Sequence, residues 1–159
     1  MAQEWTKPKL NIEEGQDHTL VENQRFWAGK ARRFARDCGD PNPLHQRECP
    51  IVPTGMVVQW ILGHLYRFLT ENIGSDYNHS IVVTFQAGSL KGALVAADQY
   101  RYKLVVSVEN IELEGYTATM RLRVYVEGTV RGDRIFSAYE GTIVGQSSLV
   151  PARKAKLLQ

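Results

Sequence analysis

Cysteine is scarce in this sequence: Cys38 and Cys49 are the two among 159 residues. Two thiols cannot build a disulfide framework, and with no Cys-x-x-Cys pair near histidines they offer no zinc site. A reducing compartment, the cytoplasm, is the expected setting. Excess charge is small too, 19 Lys and Arg against 17 Asp and Glu. A net charge of +2 argues against a nucleic-acid or membrane binder, while a pI of 8.6 leaves room for an anionic ligand. The opening residues, Met1 to Asn11, are polar, with Lys7, Pro8 and Lys9 where an export signal needs an apolar run. Long hydrophobic runs are missing as well. The most apolar stretch, Met56 to Leu69, is shorter than the ~20 residues that cross a bilayer and contains Gln59, His64 and Arg67. What is present is ordinary globular material: 43% hydrophobic and 23% charged residues in 18.0 kDa, enough for one domain with a real core and unlike a disordered chain.

Asn23 is a candidate cap for a helix through Phe26, Trp27, Ala31, Phe34, Ala35 and Cys38, with Gly39 as its stop. From Asp40 to Pro53 the chain holds Pro41, Pro43, Pro50 and Pro53, so this segment is a constrained loop. Thr54 is the expected cap of a long helix, to about Thr70, whose apolar face is Met56, Val57, Trp60, Ile61, Leu65, Phe68 and Leu69. Gly63 inside it costs up to about 1 kcal/mol relative to alanine, which predicts close contact there with another backbone. Beyond Asn78 the period changes to alternation, in Ser80 to Phe85, Tyr100 to Val108, Tyr116 to Val126 and Ile135 to Val144. One long apolar helix followed by a strand meander predicts the α+β class, with an antiparallel sheet wrapped around the helix as in the hotdog fold. The expected division is a tail over 1–11, one domain over 12–146 and a basic tail over 147–159 that includes Arg153, Lys154 and Lys156. Such a sheet leaves a free edge, which predicts a homodimer or a larger even assembly.

The chemistry-bearing segment runs Phe34-Ala35-Arg36-Asp37-Cys38-Gly39-Asp40-Pro41-Asn42-Pro43-Leu44-His45, followed by Pro50-Ile51-Val52-Pro53-Thr54-Gly55-Met56. Asp40 leaves the end of a helix, and His45 follows five residues later on a proline-stiffened loop. Asn42 is suited to bond backbone groups and fix the bend. An imidazole beside a carboxylate exchanges protons at neutral pH, which suits acid–base work on a water. The N–H groups of Gly55 and Met56 open the long helix at its positive end and are placed to hold a carbonyl oxygen that gains charge. The same turn-rich string also serves as a plain helix stop and loop. His18, His64 and His79 read as structural or solvated. Lys91, Arg101, Lys103, Arg121 and Arg123 read as the solvated face of strands.

Gly39, Asp40, Asn42, Pro43 and His45, with Phe34-Ala35 upstream and Gly55-Met56 downstream, resemble the signature of the MaoC-like hydratases and dehydratases, a hotdog family that includes (R)-specific enoyl-CoA hydratases. The resemblance spans about residues 12 to 146. It implies addition or removal of water at the 2,3-position of an enoyl or 3-hydroxyacyl thioester carried by CoA or acyl carrier protein, with no metal and no cofactor. Asp40 and His45 would be the catalytic pair, and Gly55 and Met56 would polarise the thioester carbonyl. Asn42 and Trp60 complete the expected substrate-binding set. The sequence departs from the signature in a short segment over 46–54, in Pro53-Thr54 before Gly55, and in Trp60 where the family has a small residue near the catalytic Asp. These departures keep a second reading in play: a non-hydrating hotdog protein, as an inactive partner subunit or a repurposed tailoring enzyme, that binds an acyl or polyketide-like ligand.

Overall fold

A computed structural model describes residues 10–73, 77–78 and 81–151. Its elements in chain order are β1 (Asp17–Gln24), α1 (Ala28–Asp37), a 3-10 turn (Pro43–His45), α2 (Thr54–Ile73), β2 (Tyr77–Asn78), β3 (Ile81–Leu90), β4 (Tyr100–Glu114), β5 (Thr117–Val130), β6 (Arg134–Ser148) and β7 (Val150–Pro151). Five strands make one antiparallel sheet in the order β1-β4-β5-β6-β3, and β2 pairs with β7 separately.

The alternating pattern explains the three long central strands. Leu104, Val106 and Val108 of β4 stand opposite Val126, Val124 and Leu122 of β5, all on one buried face. The tight reversal from β5 to β6 is possible because Arg131 and Gly132 adopt left-handed backbone, φ 53° and 81°. α2 lies on the covered face: its Val57, Ile61, Leu65, Phe68, Leu69 and Ile73 share one core cluster with the inward residues of β4, β5 and β6. Each such side chain contributes on the order of 1.5–3 kcal/mol by leaving water. The outward face is ionic. Arg123 lies between Glu109 at 3.3 Å and Glu140 at 2.7 Å, and Lys103 pairs with Glu127.

The α+β arrangement of one antiparallel sheet with one long helix is as expected, with corrections at its margins. β1 is an added strand, paired with β4, whose alternation is broken by irregularities between Thr19 and Val21 and between Val21 and Gln24. Asn23 lies in that strand with φ 55° and caps no helix; α1 begins at Ala28, after Trp27, with no side-chain cap. Gly63 makes no close backbone approach, since a Cβ there would meet nothing within 4 Å. At the far end β6 runs past Gln146, Leu149 is buried, and Val150–Pro151 pairs with β2, so the boundary expected at 146 falls inside a strand. Leu10 packs on the core and the Asn11 N–H donates to the Asn72 carbonyl, so the chain joins the body before residue 12. Arg153, Lys154, Lys156 and His79 lie outside the described residues. No helix among the described residues is long and apolar enough to cross a membrane.

Candidate active site

α1 ends in a way that aims Asp40. Gly39 takes φ 68°, the Gly39 N–H donates to the Arg36 carbonyl, and the Asp40 N–H donates to the Ala35 carbonyl at 2.8 Å. This paired closure is the Schellman arrangement, and it needs a residue without Cβ strain at Gly39. The next residues form a ladder of short-range bonds. Asp40 Oδ1 accepts the Asn42 N–H at 3.0 Å, Asn42 Oδ1 accepts the Leu44 N–H at 3.1 Å, and the Asn42 carbonyl accepts the His45 N–H. Pro43 opens the 3-10 turn, where its missing N–H costs nothing. Every position of Gly39-Asp40-Pro41-Asn42-Pro43-Leu44-His45 except Pro41 and Leu44 thus has a visible task in bending the chain or in the pair it presents.

The outcome is an Asp–His contact. His45 Nε2 lies 3.2 Å from Asp40 Oδ2; the His45 residue is 8% exposed, while the Asp40 side chain remains 37% exposed. His45 Nδ1 lies 2.7 Å from the Ile51 carbonyl oxygen. A carbonyl can only accept, so Nδ1 carries a hydrogen and donates it. Nε2 therefore faces Asp40 with its remaining valence. Two lone pairs repel at that distance, so a proton bridging Nε2 and Oδ2 would be shared by the pair. Asp40 Oδ1 is occupied by Asn42, which leaves Oδ2 and that proton as the exchangeable group.

Ile51 is itself held from a distant part of the chain. It forms an antiparallel bridge with Val95, the Val52 N–H donates to the Leu94 carbonyl at 2.7 Å, and the Ala96 N–H donates to the Pro50 carbonyl at 2.9 Å. The buried Tyr102 hydroxyl accepts the Val95 N–H at 2.6 Å and fixes that segment to β4. Burial pushes the Tyr102 hydroxyl up to about 12, against the opposing effect of its Val95 backbone bond. From the other side, Arg32 Nη1 donates to the Arg47 and Glu48 carbonyls at 3.0 and 3.3 Å. These supports were not read from the sequence: Ile51 and Val95 act through backbone atoms, which carry no side-chain signal, and Tyr102 looks like any inward residue of a strand.

α2 opens beside α1. A Cβ on Gly55 would meet two carbons of the Phe34 ring at 3.3 Å, so the absence of a side chain lets the helix start approach α1 closely. The Met56 N–H donates to the Pro53 carbonyl at 3.0 Å, as does that of Val57. Met56 therefore does not offer the open N–H expected of it, whereas Gly55 N–H has no acceptor among the described residues. Thr54 is the first residue of α2 and Pro53 supplies the accepting carbonyl in front of it. Asn42 is exposed and its side-chain oxygen is committed to the loop, so it shapes the site from outside. Trp60 packs edge-on against Phe26 at 5.2 Å and His64 at 5.9 Å, and its buried indole N–H has no partner among the described residues. His64 is held below the usual imidazole range by burial, with the charge of Arg67 adding to it. Cys38 and Cys49 are exposed free thiols. Among the described residues no three of His, Cys, Asp or Glu stand close enough together to hold a metal ion.

No protein-family model and no curated protein matches the sequence. Solved structures do. A monoamine oxidase regulatory protein from Archaeoglobus superposes with TM-score 0.67 at 12% identity, over 91% of this chain and 97% of the other. The HadBC (3R-hydroxyacyl-ACP dehydratase) complex from Mycobacterium tuberculosis gives 0.63 at 13%, over 86% and 99%. An (R)-hydratase from A. caviae involved in PHA biosynthesis gives 0.51 at 22%, over 88% and 98%. The chain has the hotdog fold. At these identities the likeness extends to the fold alone, and it is the fold that the Gly39 to His45 resemblance implied. Hotdog proteins of more than one activity share it, since a fluoroacetyl-CoA-specific thioesterase is also among the similar structures.

Proposed function

We propose that this hotdog protein is a hydratase or dehydratase of enoyl and 3-hydroxyacyl thioesters. The observation that carries the reading is the Asp40–His45 pair, 3.2 Å apart, with one tautomer of His45 set by the Ile51 carbonyl. In the hydration direction the pair takes a proton from water as its oxygen bonds to the β-carbon, and returns a proton to the α-carbon. The π-bond is consumed, and H and OH are the only groups added. Charge that gathers on the thioester oxygen in between is met by the Gly55 N–H at the positive start of α2. The thioesterase alternative is less well supported, because α2 from Met56 to Leu69 carries no carboxylate near its start.

A panel of short enoyl thioesters on CoA separates the readings. Loss of enoyl absorbance without release of free thiol is the expected result. Thiol release without loss of the double bond would establish a thioesterase instead. If no thioester reacts, ligand binding without hydration becomes the better account.

A further inference from the structure

We propose that the outward face of α1 is a docking surface for an acidic carrier protein that delivers the thioester to Asp40 and His45. The inference rests on the hydratase reading for the identity of the cargo, though not for the docking itself. α1 holds Lys30, Arg32, Arg33 and Arg36 against Asp37 alone, while the rest of the chain carries 15 basic against 16 acidic residues. The net positive charge of the protein is therefore concentrated on ten residues.

Their placement is as telling as their number. Ala31 and Ala35 are fully buried, so α1 lies tightly on the body, while Lys30, Arg33 and Arg36 recur every third residue on its exposed side. None of these three makes an ion pair or side-chain hydrogen bond with another described residue. Three cations on the face of the sheet, Lys103, Arg121 and Arg123, are by contrast each paired to a glutamate. Like charges three apart on a helix repel, and within α1 only Asp37, which forms no ion pair with Arg33 or Arg36, opposes the row. Arg36 is four residues from Asp40, and Arg32 ties α1 to the loop that follows His45. The basic face and the Asp40–His45 pair thus lie on one hydrogen-bonded stretch of chain.

The shape favours a protein over a free nucleotide. Small ligands are bound in concave sites, whereas Lys30, Arg33 and Arg36 stand on the outside of a helix. A convex row of one sign matches a surface of opposite sign, and contacts of this kind steer association. An acidic acyl carrier protein meets both conditions and carries its acyl group as a thioester.

The test compares a but-2-enoyl thioester on an acidic acyl carrier protein with but-2-enoyl-CoA, using wild type, Arg33→Glu/Arg36→Glu and Arg33→Ala/Arg36→Ala, each checked for unchanged helix content. Binding of the unloaded carrier is measured alongside by surface plasmon resonance. At low salt the charge reversal is expected to lower kcat/KM for the carrier substrate by about tenfold or more, with the alanine variant between, and to leave the CoA substrate within about twofold. Carrier binding weakens in parallel. Equal losses on both substrates, no loss on either, or a wild type that does not bind the carrier would each overturn the docking surface. Carrier binding that depends on Arg33 and Arg36 without turnover of any thioester would uphold the surface and remove the hydratase reading.

Discussion

At the scale of single residues, the proposed chemistry depends on proton transfer by the Asp40–His45 pair. General acid–base assistance is worth typically ~10²–10⁴-fold. Asp40→Asn and His45→Gln are each expected to lower turnover of an enoyl thioester by about that factor, with the melting temperature little changed. The double variant should be no slower than the worse single one, because residues that act as a unit are not additive. Steady-state rates of the three variants check this, and full activity in either single variant would remove the pair from the mechanism. Gly39 is the second decisive residue. Its φ of 68° is costly for any residue with a Cβ, although open space surrounds it. Gly39→Ala should therefore cost about 1–2 kcal/mol in urea unfolding and reduce turnover of an enoyl-CoA by shifting Asp40, an effect that a nearby helix-surface change such as Arg33→Ala would not have on that substrate.

Among the elements, the loop between the two helices is braced by β4. Tyr102 stays protonated in the fold, with its hydroxyl raised from 10 to about 12. A group raised in the folded state contributes stability that is full below pH 10 and is lost as pH climbs from 10 toward 12. Two units correspond to roughly 2–3 kcal/mol. Stability measured by denaturant is thus expected to hold to about pH 9 and then fall, with a shallower fall in Tyr102→Phe. At neutral pH the same variant leaves the Val95 N–H without its acceptor, at a cost of about 1–3 kcal/mol. An alkaline profile identical to wild type would show that Tyr102 does not carry this dependence. Strand and helix periods, the Gly39 stop and the Asn42 bend were legible in the sequence because each depends on residues a few places away. β1 was not, because two irregularities break its alternation and leave half-buried residues at irregular spacing.

For the whole molecule, the order β1-β4-β5-β6-β3 leaves β3 with one edge unpaired among the described residues, ten residues long and carrying exposed Val82 and Leu90. Open edges of that length invite pairing with a second copy. Light scattering at micromolar concentration is expected to give at least twice the 18.0 kDa chain mass. A stable monomer there would mean that the edge is protected in some other way.

The sequence by itself determined the class of the fold, the long buried helix, the meander of β4, β5 and β6 and the residues of the Asp40 to His45 loop, since side-chain period and turn chemistry are local properties, whereas the crossover that pairs β3 with β6 instead of β4 was not legible. Only the tertiary structure decided which groups complete the site. The Ile51 carbonyl sets the hydrogen on His45 because Ile51 bridges Val95, forty-four residues away. Trp60 meets Phe26 because the segment before α1 packs against that side of α2. These assignments depend on where backbone atoms of remote segments come to rest. Pairing register and packing set that position, and residue type alone does not encode it.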